Sequence, residues 1–158
     1  MFSISSQLAE FSNAVRTSTI KRLQLIPFGK ENWRFSPGAM SSADIANHLI
    51  QTDDWLFKKI ELKDLESIKG STGTVEIKTR NDYLTLIEEL NNSGEKRDGF
   101  ILSLDNKVFQ EKIYDDRFGK EVSVWWIIVR GNLDHEIHHR GQISSYLRAI
   151  ETQSLDIN

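Results

Sequence analysis

Apolar residues recur at three- to four-residue steps in four separate stretches of this chain, a spacing that places them on one face of an α-helix. The chain contains only two prolines, Pro27 and Pro37, and neither falls inside any of these stretches. Because proline interrupts helices and is absent from all four stretches, the pattern predicts an all-α protein with four helices. The predicted helices span residues 6–25, 41–60, 81–104 and 125–150.

The start of the second predicted helix is well defined. Ser41 can accept a hydrogen bond from the backbone N–H of Asp44, whose carboxylate can reach back to Ser41, as in a capping box. Before this point, Pro27 ends the first helix, and residues 28–40 show no sustained period. We therefore expect a structured loop between the first two helices.

The sequence also predicts the connections before and after the third helix. Residues 61–80 are rich in charge and contain Gly70 and Gly73, which is typical of a surface connection. Residues 109–124 alternate loosely around a turn sequence that ends at Gly119, a position that requires a positive φ. The sequence therefore predicts a short β-hairpin, inserted before the last helix.

The composition limits the classes of protein that remain. The 158 residues are typical of one compact domain, so we predict a single domain over residues 1–158. Cysteine is absent, so any metal must be held by nitrogen and oxygen. The net charge is −3 and the 20 lysines and arginines are scattered, which argues against nucleic acid as a partner.

The cellular location is predicted from two patterns that the sequence does not show, a signal peptide and a membrane span. The first residues show neither the basic nor the apolar segment of a signal peptide. No run of the sequence approaches the roughly 18 apolar residues that a membrane span needs. We therefore expect a cytoplasmic protein with no membrane partner.

All four histidines fall at two places, His48 in the second predicted helix and His135, His138 and His139 in the fourth. His135 and His139 lie one turn apart and differ by about 40° around the helix, so both imidazoles can face one ion. His138 lies about 60° away on the other side of His135 and is expected to miss that ion. With His48 as the third ligand, the pattern predicts a three-histidine metal site with an open fourth position.

The residue types do not select the metal, since zinc, nickel, iron and manganese all accept imidazole ligands. Gln142 lies one turn beyond His139 and Tyr146 lies one turn further, so either could hydrogen-bond a metal-bound water or a substrate. Asp44 and Asp134 are candidates to orient a histidine ligand from behind.

Two other interpretations of the histidines stay open. The segment from His135 to His139 matches H-E-x-x-H, in which Glu136 would be the general base of a zinc protease. No histidine follows His139, and the only later glutamate is Glu151, so the usual downstream third ligand is poorly matched. The histidines could also form a purely structural cluster inside a helical interaction protein.

Two blocks of this sequence resemble the DinB family, which is grouped with the YfiT-like metal-dependent hydrolases. One block runs from Asn132 to Arg148 around His-Glu-Ile-His-His-Arg-Gly-Gln, and the other runs from Trp33 to His48. The resemblance implies a four-helix bundle with up-down-down-up connections, frequently dimeric. It also implies a metal held by three histidines, which carry over to His48, His135 and His139.

The resemblance further implies chemistry on small molecules. Relatives include transferases that use low-molecular-weight thiols and proteins described only as hydrolases. We therefore expect a metal-dependent enzyme with a small-molecule substrate, zinc or nickel as the first choice of metal, and a thiol as a possible cosubstrate. Gln142, Tyr146 and Glu136 are the candidate catalytic residues. The alternative is a helical dimer that binds metal or a ligand without turnover.

Overall fold

The computed structural model describes residues 3–63 and 75–155. It contains the four predicted helices, and the last of them is a composite of three consecutive segments. The helices are α1 (Ile4–Gln24), α2 (Ser42–Glu61), α3 (Arg80–Ser103) and α4, which comprises Val124–Trp126, Ile127–Leu133 and Asp134–Leu155. Gly70 and Gly73 of the predicted surface connection lie outside the described residues.

Side-chain caps fix where the helices begin. Ser41 and Asp44 form the predicted capping box at the start of α2, with both hydrogen bonds present. Thr79 and Asp82 form a second capping box at the start of α3. Each box satisfies backbone N–H groups that the first turn of a helix leaves without partners.

The predicted hairpin is confirmed. β1 (Lys112–Asp115) pairs with β2 (Lys120–Ser123) in an antiparallel register, after a short 3₁₀ turn at Val108–Gln110. Ile113 and Val122 face each other and are buried in the core. Gly119 has a φ of 64°, as the turn requires.

Contacts between the helices give their directions. α3 runs antiparallel to α1, α4 runs parallel to α1, and α2 runs antiparallel to α4, so the connections are up-down-down-up. The contacts that fix these directions are Leu23–Tyr83 and Ser12–Arg97 between α1 and α3, Arg16–Glu136 and Arg22–Ser144 between α1 and α4, and His48–His139 and Asp53–Asn132 between α2 and α4.

The middle segment of α4 is π-helical. It spans Ile127–Leu133 and ends immediately before the α-helical part that begins at Asp134. A π-helix joins each residue to the fifth one along the chain, which widens the helix and rotates the residues that follow. The π-helix was not predicted from the sequence, and it sets the rotation at which the residues from His135 onward meet α2.

The apolar core is divided in two. One cluster lies with the hairpin and contains Trp55, Ile101 and Ile113, and the other contains Leu23, Leu49 and Tyr83. On α1, α2 and α3, a buried layer of charged and polar side chains lies between the two clusters. No helix in the described part of the chain is long and apolar enough to cross a membrane.

Candidate metal centre

Three histidine side chains meet where α2 and α4 cross. The Nε2 atom of His135 lies 3.2 Å from Nε2 of His48 and 3.2 Å from Nε2 of His139. One ligand atom from each of the three lies within 4.8 Å of the others. The antiparallel packing of α2 against α4 therefore converts the predicted histidine pattern into one converging cluster, called here the histidine tripod.

The geometry of the histidine tripod fits a divalent metal. Zinc binds imidazole nitrogen at about 2.0–2.1 Å, so two ligands at a tetrahedral angle have nitrogen atoms about 3.3 Å apart. Within the described residues, no carboxylate and no fourth histidine joins the group. Three neutral ligands of this kind can hold an ion and leave a coordination position for a water or a substrate.

Burial keeps these imidazoles neutral. It is the largest cause that lowers the pKa of His135 to about 3, with smaller contributions from His139, His48 and Arg117. Burial also lowers the pKa of His139 to about 4 and the pKa of His48. A neutral imidazole has a free lone pair, which is the form that binds metals.

Gln142 contacts one histidine of the tripod. Its Oε1 atom lies 2.7 Å from Nδ1 of His139 and can accept a hydrogen bond from an Nδ1–H group, which leaves the Nε2 lone pair toward the centre of the tripod. The Nδ1 atoms of His48 and His135 are buried without a hydrogen bond to any described residue. Gln142 was predicted to hydrogen-bond a metal-bound water or a substrate, and in the structure its side chain contacts His139.

Tyr146 lies one turn beyond Gln142 on α4. Its ring packs edge-on against Trp33 of the loop before α2, with ring centroids 5.4 Å apart. Burial raises the pKa of the Tyr146 hydroxyl, and the charges of Arg34 and Asp44 also act on it. The hydroxyl is therefore protonated at neutral pH and able to donate a hydrogen bond.

The two aspartates considered as supports for the ligands have other partners. The Asp44 carboxylate accepts hydrogen bonds from Arg34 and from the backbone of Ser41. The Asp134 carboxylate accepts a hydrogen bond from Arg130 at 2.8 Å on the exposed side of α4. Neither arrangement orients an imidazole of the tripod.

Comparison with known proteins places the chain in a family. A model of the DinB family matches residues 1–150. The chain belongs to the DinB family. A crystal structure of a DinB-like protein from Bacillus subtilis, YjoA, is similar at 16% identity and a TM-score of 0.68, over 92% of each chain. That similarity shows a shared DinB-like fold, and no curated protein matches the chain.

Glu136 has a structural position in this DinB-family protein. Its Oε1 atom accepts a hydrogen bond from Nε of Arg16 at 2.9 Å, and its Oε2 atom accepts one from Nη1 of Arg97 at 2.6 Å. Burial alone would raise the pKa of Glu136, but Arg97 and Arg16 outweigh burial and lower it to about 2. Such a carboxylate is a weak base at neutral pH, which does not favour the H-E-x-x-H protease interpretation.

A network of four buried charged side chains was not predicted from the sequence. It is called here the ion network and consists of Arg16, Arg97, Asp53 and Glu136. Asp53 accepts hydrogen bonds from Nη2 of Arg16 at 2.9 Å and from Nη1 of Arg97 at 3.1 Å. All four side chains are at most 3% exposed. Small polar residues on the same side of α1, such as Ser12 and Thr19, were the available signal that this face turns inward.

Proposed function

We propose that this DinB-family protein is a metal-dependent enzyme that transfers a low-molecular-weight thiol to a small electrophile. The observation that carries the proposal is the convergence of three Nε2 atoms in the histidine tripod. Family membership supports a metal-dependent protein of this kind. Hydrolysis of a small ester or amide at the same site is the neighbouring reaction, since both need the same ion.

His48, His135 and His139 would hold the ion, with zinc or nickel favoured and manganese or iron acceptable. A divalent ion bound to three neutral imidazoles keeps its full charge and can lower the pKa of a coordinated thiol or water. Gln142 supports His139 from behind and keeps its Nε2 lone pair directed inward. The chain therefore supplies three histidines that would bind the ion and a glutamine that orients one of these histidines.

Thiol transfer is favoured over hydrolysis by what the chain's own residues can do. The sequence has no cysteine, so a sulfur nucleophile must come from a cosubstrate. The Glu136 carboxylate is paired with Arg16 and Arg97, and its lowered pKa makes it a weak base. A thiol needs only to lose its proton to solvent, after which its sulfur forms a bond to carbon and the leaving group departs.

Tyr146 is the candidate hydrogen-bond donor of this reaction. Because burial raises the pKa of its hydroxyl, Tyr146 stays protonated at neutral pH and can donate a hydrogen bond to the electrophile or the leaving group. Trp33 fixes the ring from one side. Tyr146→Phe is then expected to lower kcat about tenfold, the effect of losing one hydrogen bond of about 1.4 kcal/mol, while metal content stays unchanged.

The first experiment is elemental mass spectrometry on the untagged protein beside His48→Ala/His139→Ala. We expect near-stoichiometric metal in the wild type and none in the double variant. Wild-type protein loaded with that metal is then mixed with a thiol and an electrophile such as monochlorobimane, and conjugation is followed by fluorescence.

The outcomes separate the alternatives. Metal that binds without any turnover of thiols or esters would indicate a binding protein and would overturn the enzymatic proposal. A folded wild type that takes up no zinc, nickel or manganese would make the histidines structural.

A further inference from the structure

A groove lined by basic side chains lies between α1 and α4, on a different side of α4 from the histidine tripod. It has a volume of about 350 Å³, within the range of about 300–1,000 Å³ of pockets that bind small molecules. Gln142, which contacts the tripod, and Ser144, which lines the groove, differ by about 160° around α4. The lining includes three basic residues and no acidic one, and consists of Lys21, Arg22, Leu25, Ser144, Leu147 and Arg148.

Arg22 is held in a fixed position at this groove. Its Nε atom donates a hydrogen bond to the Ser144 hydroxyl at 2.8 Å, and its Nη1 atom donates to the backbone carbonyl of Ser18 at 3.0 Å and to the Ser18 hydroxyl. The Nη2 atom donates to no residue that the structure describes. The guanidinium is therefore oriented by two helices, and both N–H groups of Nη2 are left for a ligand.

Arg22 also differs from other arginines in the charge of its partners. Both of its partners are neutral serines, whereas six other arginines form ion pairs with carboxylates. These six are Arg16, Arg34, Arg80, Arg97, Arg117 and Arg130. Arg22 is partly buried, and burying part of an unpaired charge costs free energy. An anion bound in the groove would supply the missing negative charge.

Lys21 brings a second positive charge to the same place. Its side chain is exposed in the last turn of α1 and forms no ion pair with a described residue. Cations in the last turn of a helix interact favourably with the helix dipole, which accounts for a basic residue at this end of α1. The dipole of α1 does not account for the contact that Arg22 makes with Ser144 on the other helix.

We propose that this groove binds a soluble organic phosphate, namely a phosphate monoester with a small apolar body. Such a monoester carries close to two negative charges at neutral pH, which match the two cations Arg22 and Lys21. Its oxygens can accept paired, charge-assisted hydrogen bonds from a guanidinium. Leu25, which is 61% exposed, and Leu147 give the same groove an apolar surface for the body of the ligand. Neither the metal nor the reaction proposed at the tripod takes part in this binding.

Two probes of similar shape test the charge of the ligand. Phenyl phosphate and phenyl sulfate share a ring and a tetrahedral head group, but at pH 8 the phosphate carries one more negative charge. In calorimetric titrations of the full chain, we expect phenyl phosphate to bind about tenfold more tightly than phenyl sulfate, the effect of one additional charge-assisted contact. Inorganic phosphate lacks the ring and should bind more weakly than phenyl phosphate.

Substitutions test whether the phosphate binds in the groove. Arg22→Gln should weaken phenyl phosphate by about tenfold or more. Lys21→Gln removes a charge that makes no contact in the fold and should bring the affinities for the two probes together, so a second variant tests the groove if Arg22→Gln does not fold. Lys120→Gln removes a positive charge from the hairpin and should change neither affinity. His48→Ala/His139→Ala removes two residues of the tripod and should bind phenyl phosphate as the wild type does.

The opposite results would overturn the inference. Equal affinity of the wild type for both probes, or phenyl phosphate binding that survives both Arg22→Gln and Lys21→Gln, would remove the phosphate from the groove and leave the proposed function standing. Loss of binding in His48→Ala/His139→Ala would place the phosphate at the tripod instead. A lipid source is tested by sedimentation with phosphatidylcholine vesicles that contain phosphatidic acid. Sedimentation of the wild type but not of Arg22→Gln would replace the soluble ligand with a membrane surface.

Discussion

The histidine tripod and the ion network are two buried polar clusters that share α2 and α4, and they differ in how their members are paired. In the ion network, Arg16 and Arg97 alternate with Asp53 and Glu136, so each charge faces an opposite charge. In the histidine tripod, three chemically identical nitrogens face one another. His135 and Glu136 are adjacent in the chain and belong to different clusters.

Buried polar groups that support the fold differ from buried polar groups that bind a ligand in whether the protein itself supplies their partners. Burying a polar group costs free energy unless it is paired, and the ion network meets that requirement with its own residues. The histidine tripod leaves Nδ1 of His48 and of His135 without a hydrogen-bond partner among the residues that the structure describes, and its three Nε2 atoms converge on one point. A cluster that the protein pairs internally supports the fold, whereas one that it leaves incomplete is suited to bind something.

The largest expected loss of stability comes from a substitution in the ion network. Arg97→Met removes one cation and leaves Asp53 and Glu136 buried with Arg16 as their remaining cation in the network. Because an uncompensated buried charge is unfavourable, we expect the free energy of unfolding to fall by about 3–5 kcal/mol. Urea denaturation followed by circular dichroism measures it.

The matched control for Arg97→Met is Arg130→Met. Arg130 is on α4 and pairs with Asp134, but both side chains are more than half exposed, at 53% and 55%. An exposed pair of this kind contributes at most about 1 kcal/mol. A similar loss from both variants would mean that burial does not distinguish the ion network from a surface pair.

The second prediction concerns the pH dependence of the same network. The pKa of Glu136 is about 2 in the folded protein against an ordinary value of 4.5, so the unfolded chain binds its proton first as the pH falls. The stability that the carboxylate contributes is therefore present above pH 4.5 and is lost as the pH falls toward 2.

Comparing metal-free wild type with Glu136→Gln isolates this contribution. We expect the wild type to unfold at higher urea concentration at pH 7, and the gap between the two proteins to narrow progressively below pH 4.5. A gap that stays constant down to pH 3 would show that Glu136 is not held as a carboxylate by Arg16 and Arg97.

The features that the sequence predicted depend on local spacing. The four helices follow from apolar periodicity, and the start of α2 follows from the Ser41 and Asp44 capping box. The approach of His135 to His139 follows from the geometry of one helical turn. The meeting of His48 with that pair was expected because each lies on the side of its helix that carries apolar residues.

The features that the sequence did not predict depend on contacts between distant residues. Periodicity treats arginine as a surface residue, so Arg16 and Arg97 were not assigned to the interior. Their burial depends on carboxylates 37 to 120 residues away along the chain. The π-helical segment Ile127–Leu133 has no such local signature either, and the role of Glu136 depended on knowing which way α4 is rotated.

A smaller effect is expected from removing the hydrogen bond between Gln142 and His139. Gln142→Leu removes the acceptor at Nδ1 of His139 and leaves all three ligands in place. Loss of a group that orients a ligand lowers metal affinity about 10- to 100-fold, so we expect that decrease in competition titrations against a zinc indicator. Gln142→Glu keeps an acceptor oxygen and should bind at least as tightly as the wild type.

The smallest expected effect concerns His138, which separates the tripod from a general cluster of histidines. Its ring lies 5.3 Å from that of His139, yet it is exposed and is not a member of the converging group. We expect His138→Ala to change zinc affinity less than twofold, a shift of about 0.4 kcal/mol or less. If His138→Ala weakens zinc as much as His139→Ala does, the ion is bound by a different pair on α4.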